Sequence, residues 1–258
     1  MTGAITLAGL ATLRGGAGLV RLAVPAGSQQ VVAGYEPSYM TLGLPEDAEG
    51  RISAAAKDLL AERAKEATVV ALGPGLGRSD DLTKLVSWAY EQLPQPMVFD
   101  ADALNALAAN PQVLTRPGGA RILTPHPGEF ARLVEITGLD AAAKRQKAID
   151  LAGSCGVVVV LKGHGTLVTD GKNSAINTTG NPGMATGGTG DVLTGLITAL
   201  LCQNLGPYEA ARAGVHLHGL AGDMAAAELG QISLIARDLV DFLPAAFQCY
   251  MQPGPDGQ

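Results

Sequence analysis

Apolar positions along the chain change period repeatedly, and each change marks an element. Residues 3–14, GAITLAGLATLR, read as a helix stopped by Gly15-Gly16. GLVRLAVP then reads as a strand ending at Pro25. Residues 53–65, SAAAKDLLAERAK, carry the pattern of an amphipathic helix, and residues 67–78, ATVVALGPGLGR, that of a buried strand running into a Gly/Pro turn. Residues 80–93 predict the next helix, with two acids in the first turn, where the helix dipole favours them. PMVFDADALNAL reads as strand then helix, and ARILTPHPGEFARLV repeats the pattern. GVVVVLKGHGTLVTDG predicts two strands joined at Gly163–Gly165, and NSAINTTG one more. From Asp191 to about Phe247 the pattern is helical almost throughout.

Strands alternating with helices predict an α/β fold, with a mostly parallel sheet and helices on both faces. With no linker, repeat or low-complexity tract, residues 1–250 are expected to form one domain, and 251–258 a disordered tail. In such sheets ligands sit at the carboxyl ends of the strands. GPGLGR, FDADALN, TPHPGE, KGHGT and GGTGD all fall at such ends, so one shared site is expected.

Composition narrows the partners. The net charge is −6 with no basic block, which disfavours nucleic acid and anionic membranes. Aromatics are 4%, too few for a base-stacking platform. Cys155, Cys202 and Cys249 form no CxxC pair and are expected to be buried or half-buried reduced thiols. No signal peptide or membrane-length apolar run is present, so a cytoplasmic setting is the expectation.

The stretch NPGMATGGTGDVLTGLITALL sets a carboxylate, Asp191, against Gly187, Gly188 and Gly190. It is no P-loop: Gly171-Lys172 is followed by Asn173, and no GxGxxG opens a helix. Small residues at a helix start let several backbone N–H groups converge on an anion. Asp191 reads either as a simple N-cap or as a base that takes a proton from a hydroxyl attacking a phosphoryl group. The helix dipole argues for a weak base.

Together these motifs resemble the ADP/ATP-dependent NAD(P)H-hydrate dehydratases of the ribokinase-like superfamily, over nearly the whole chain. The resemblance implies a three-layer ribokinase-like sandwich and repair of hydrated NADH and NADPH at the expense of ADP or ATP with Mg2+. Phosphorylation turns the ring hydroxyl into a leaving group, and the ring nitrogen expels it. By position, Asp191 resembles the catalytic base. Ala4, Gly75, Gly77, Asp100, Asn105 and His126 resemble substrate contacts. Lys162, Gly163, His164, Gly165 and Thr166, with Gly187, Gly188 and Gly190, resemble the nucleotide site, and Glu129 an acid that organises Mg2+ through water. The resemblance also implies a tetramer and a separate epimerase as functional partner.

Plainer roles stand beside these. His126 also reads as a turn residue, Glu129 as a first-turn acid, Asp102 as a helix cap, and Lys162 and His164 as hairpin residues. His216 and His218, two apart on a helix, read as structural, and Trp88 as packing. A small-molecule kinase of the same superfamily, or a catalytically silent nucleotide-binding module, are the alternative functions. Family members usually begin with a further strand and a Gly/Ser-rich loop; here the residues after Met1 already match the following helix, so either the true start lies upstream or the chain folds with an exposed strand edge.

Overall fold

A computed structural model of the chain describes residues 1–251. The helices are α1 (Thr2–Arg14), α2 (Gln29–Ala33), α3 (Lys57–Ala64), α4 (Asp80–Gln92), α5 (Ala101–Ala108), α6 (Pro127–Leu133), α7 (Ala141–Cys155), α8 (Thr189–Cys202), α9 (Pro207–Leu229) and α10 (Ala236–Met251). The strands are β1 (Val20–Pro25), β2 (Tyr39–Leu44), β3 (Val70–Leu72), β4 (Met97–Phe99), β5 (Arg121–Leu123), β6 (Val158–Leu161), β7 (Leu167–Thr169) and β8 (Ser174–Ile176).

Six strands, β3 to β8, lie side by side in chain order; β3 to β6 run parallel, and β7 and β8 close the edge antiparallel. Strand side chains alternate between two cores. Val98, Ile122, Val158, Val160 and Val168 pack with α1, α8, α9 and α10. Met97, Phe99, Leu123, Val159, Leu161 and Leu167 pack with α4, α5 and α7. A strand covered on both faces must be apolar on both, which is why VVVVL carries no polar residue. The expected α/β architecture, a mostly parallel sheet within helix layers, is the one observed.

The sheet is split. β1 pairs in parallel with β2, Val20 opposite Tyr39 through Pro25 opposite Leu44, and neither strand pairs with β3. Between β1 and β3 lies an apolar slot of about 280 Å3, roofed by Ile5, Ala8 and Thr12 of α1 and floored by Leu82, Leu85 and Val86 of α4. β3 is therefore shorter and more exposed than the buried strand expected over 67–78, because one of its edges has no partner.

The single-turn α2, together with β2 and α7, lies outside the elements expected from the pattern. YMTLGL is broken by Gly43 and lies between Pro37 and Pro45, and α7 buries only Ala148, Ala152 and Cys155, too few to print a clear period. α10 includes Met251, which was assigned to the tail; the rest of the expected tail lies outside the described residues. The cysteines are free, but Cys249 is exposed on α10 rather than buried. Among the described residues no helix is long and apolar enough to cross a membrane.

Close packing against α1 places α8. Val192 to Leu201 are all buried, so α8 is a core helix without a polar face. Gly195 lets α1 approach it closely, since a Cβ there would overlap the Ala8 carbonyl. Thr12 Oγ1 bridges the crossing, donating to Ala8 O at 2.8 Å and lying 3.1 Å from Gly195 O.

Candidate active site

The carboxyl ends of β3, β4, β5 and β6 carry Gly73–Gly77, Asp100, Thr124–His126 and Lys162, and the start of α8 faces them. Gly188 caps α8 with φ +94°, where a side chain would be strained; an added Cβ would also lie 2.6 Å from Leu7 Cδ1. Thr189 Oγ1 ties the loop down through the carbonyls of Met184 and Thr186, each at 3.0 Å. The first intrahelical bond runs from Val192 N–H to Gly188 O at 3.1 Å, so the amides of Thr189, Gly190 and Asp191 have no helical acceptor. Gly190 leaves open the space beside Lys162 Nζ and Asp100. A cation and free amides around a gap of this kind form an anion cradle.

Asp191 stands in the first turn of α8, part-buried, with its carboxyl pushed up to about 6. Burial is the main cause, and the Asp100 charge adds to it; Lys162 pulls the other way. This reverses the expectation drawn from the helix dipole. Desolvation and a neighbouring carboxylate raise it, leaving a group that is ionised near neutrality yet basic enough to accept a proton.

Asp100 is 1% exposed. It receives Lys162 Nζ at 2.7 Å and Thr194 Oγ1 at 2.8 Å, so both its oxygens are occupied by protein. It borders the gap at Gly190 together with Lys162. Asp102 does not cap α5; its oxygens hold Gly77 N–H at 2.9 Å and Arg78 Nε at 3.3 Å, which anchors the GPGLGR loop. Asn105 is likewise engaged, accepting Arg132 Nε at 2.9 Å. Ala4 packs against Gly75, whose carbonyl accepts the Met1 ammonium at 2.7 Å, so the start of α1 joins the wall of the site.

His126 caps α6: its Nδ1 accepts Gly128 N–H at 2.9 Å, while Glu129 Oε2 accepts the His126 N–H at 2.8 Å. The pair is a capping box. The His126 side chain is 52% exposed, with its Nε2 lying 3.4 Å from Oε1 of the buried Glu129. Thr166 closes the KGHGT turn through Gly163, and exposed His164 lies on its rim. Among the described residues no three His, Cys, Asp or Glu side chains gather to hold a metal.

Two features were missed. His218 is not merely packed: its Nε2 lies 2.9 Å from Thr189 O, inside the cradle loop. His216 turns elsewhere, tilted against Tyr250 at 5.6 Å between ring centres. Those two rings line a cleft of about 290 Å3 with Asn177, Thr178 and Arg212. Its Asn177 donates N–H to Thr166 O at 2.9 Å, which joins the cleft to the KGHGT turn. The spacing i, i+2 correctly separated the two histidines, but nothing local marked the carbonyl that His218 reaches.

Known proteins resemble the chain over nearly its whole length. The family model of the NAD(P)H-hydrate dehydratases matches residues 1–245. The bifunctional NAD(P)H-hydrate repair enzyme of Moorella thermoacetica is 48% identical over 250 residues, covering 95% of this chain and 46% of its own length. The chain thus spans about half the length of that relative. The ADP/ATP-dependent NAD(P)H-hydrate dehydratase of Bacillus subtilis, co-crystallised with ATP/Mg2+ and soaked with CoA, superposes with a TM-score of 0.77 at 29% identity, covering 97% of this chain and 88% of that one. A ribokinase-like superfamily protein of Enterococcus faecalis superposes with a TM-score of 0.77 at 27% identity, covering 97% and 84%. A family model matched over residues 1–245, a relative 48% identical over 95% of the chain and superposition on ribokinase-like structures place this protein in the NAD(P)H-hydrate dehydratase family, on the ribokinase-like fold.

Proposed function

We propose that this chain dehydrates hydrated NADH or NADPH at the expense of ADP or ATP. The observation that carries the reading is Asp191, a part-buried carboxylate pushed up to about 6 beside the unpaired amides that open α8. In this reading Asp191 accepts the proton of the ring hydroxyl as its oxygen attacks the terminal phosphorus of the nucleotide. The bond from that phosphorus to the bridging oxygen breaks, leaving AMP or ADP. The ring nitrogen's lone pair then expels phosphate, and loss of a proton from the adjacent carbon restores the dihydropyridine. The Thr189 and Gly190 amides and Lys162 balance the charge of the phosphoryl group in transit. Mg2+, bound with the nucleotide, would neutralise the phosphates; Glu129 would reach it only through water.

The KGHGT turn and the cleft beside it offer a seat for the nucleotide, and His126 a contact for the hydrated substrate. Ala4, Gly75 and Gly77 would shape the substrate side. A separate epimerase is the natural functional partner, because it would supply the epimer that this site accepts, and a homotetramer is the assembly that the resemblance implies.

Incubating the protein with hydrated NADH and ADP or ATP tests the reading. Recovery of reduced-nicotinamide absorbance, with one phosphate released per ring, is expected. A stable phosphorylated product would instead identify a kinase, and nucleotide binding without turnover a silent module.

A further inference from the structure

His218 takes no part in the chemistry just described, yet its ring reaches from α9 to the first turn of α8. Nε2 lies 2.9 Å from the Thr189 carbonyl oxygen, which can only accept, so Nε2 must carry the proton. The ring is neutral: burial holds its pKa down to about 4, with the Lys162 charge pushing the same way, and this outweighs the bond to Thr189, which by itself would raise it. The Thr189 carbonyl and the Gly190 N–H belong to one planar trans unit, so fixing the oxygen aims the N–H in the opposite direction. In a helix that direction leads out of the N-terminus, into the gap that Gly190 leaves beside Lys162 and Asp100.

We propose that His218 is a positioning residue for the anion cradle: its bond to Thr189 O holds and polarises the peptide whose Gly190 N–H receives the phosphoryl group. The proposal rests on the reading of the α8 start as a phosphate site. A donor on the carbonyl strengthens the N–H of the same amide as a donor, by the cooperativity of hydrogen-bonded chains. His216, two residues earlier, turns to Tyr250 and lacks this route.

Binding of ADP and of adenosine, measured on the unmodified protein and on His218→Leu and His218→Gln, tests it. His218→Leu is expected to weaken ADP roughly 5- to 10-fold, the scale of one hydrogen bond, with adenosine unchanged. His218→Gln, whose amide N–H can reach the same oxygen, is expected to restore most of the loss. Equal losses for both ligands, or none, would overturn the proposal. ADP bound no tighter than adenosine by the unmodified protein would sink the phosphate-site reading itself, and the proposal with it. Should His218→Leu not fold, 15N spectra of labelled histidine in the unmodified protein still decide: a neutral ring with Nε2–H is expected, and a bare Nε2 would refute the bond.

Discussion

Asp191→Asn is expected to make the protein more stable and nearly inactive at once. A carboxyl moved from 3.8 to about 6 carries a penalty of about 3 kcal/mol on its ionised form, at 1.36 kcal/mol per pH unit. The sign follows from proton counting. Between 3.8 and about 6 the folded state holds a proton that the unfolded chain has lost, so stability falls as pH rises through that window. Above it the penalty is complete; below the lower value it vanishes. Asparagine carries no charge, but its amide must still be desolvated, so the substitution recovers at most about 3 kcal/mol near pH 8 and nothing near pH 3. Turnover should fall at least ~10²-fold with nucleotide binding retained, the low end of general-base effects. Urea unfolding of both proteins across pH, beside turnover at saturating nucleotide, reads the two effects together. A variant less stable than the parent at pH 8, or one with near-normal turnover, would refute the argument that a desolvated Asp191 is the base.

Other perturbations reach the same site from different sides. In the unmodified protein kcat/KM should lose about tenfold per pH unit below an apparent pKa near 6, as Asp191 protonates, and an acid limb near 4 would contradict its burial. Lys162→Met removes the charge that pulls Asp191 down, so that limb should move to higher pH; a shift to lower pH would show that the two groups are not coupled. His126→Ala should raise KM for the hydrated substrate and, through the lost cap, cost about 1 kcal/mol of stability, whereas an effect on nucleotide affinity alone would exclude the assigned contact. An apolar strand of about five residues with a short turn, placed ahead of Met1, should raise Tm and slow amide exchange at Val20–Ala23 and Val70–Leu72; unchanged exchange would show that the slot takes no strand.

Much of the frame is local and could be read from order along the chain. The run VVVVL is apolar at every position, and only a strand covered on both faces tolerates that. The two acids that open DDLTKLVSWAY mark a helix start, and in the fold Ser79 Oγ caps it by accepting Leu82 N–H at 3.1 Å. Glycine-rich clusters after strands mark the active edge of the sheet because ligands and helix starts meet there. β2 and α7 were lost to the same logic, since neither carries a clean period of its own.

What the residues meant chemically depended on neighbours far away in sequence. Lys162 could be read as a hairpin lysine or a nucleotide contact; in the fold it pairs with Asp100, 62 residues earlier. Glu129 could be read as a metal acid, but the backbone of His126 takes one of its oxygens. The helix dipole argued for a weak base at Asp191, while burial and Asp100 make it a stronger one. Position at a strand end is set by local pattern, so the chain alone indicated which edge of the sheet gathers the glycine clusters and Asp191. Basicity, charge pairing and the reach of His218 to Thr189 depend on desolvation and on groups brought together through space, and those exist only once the layers close.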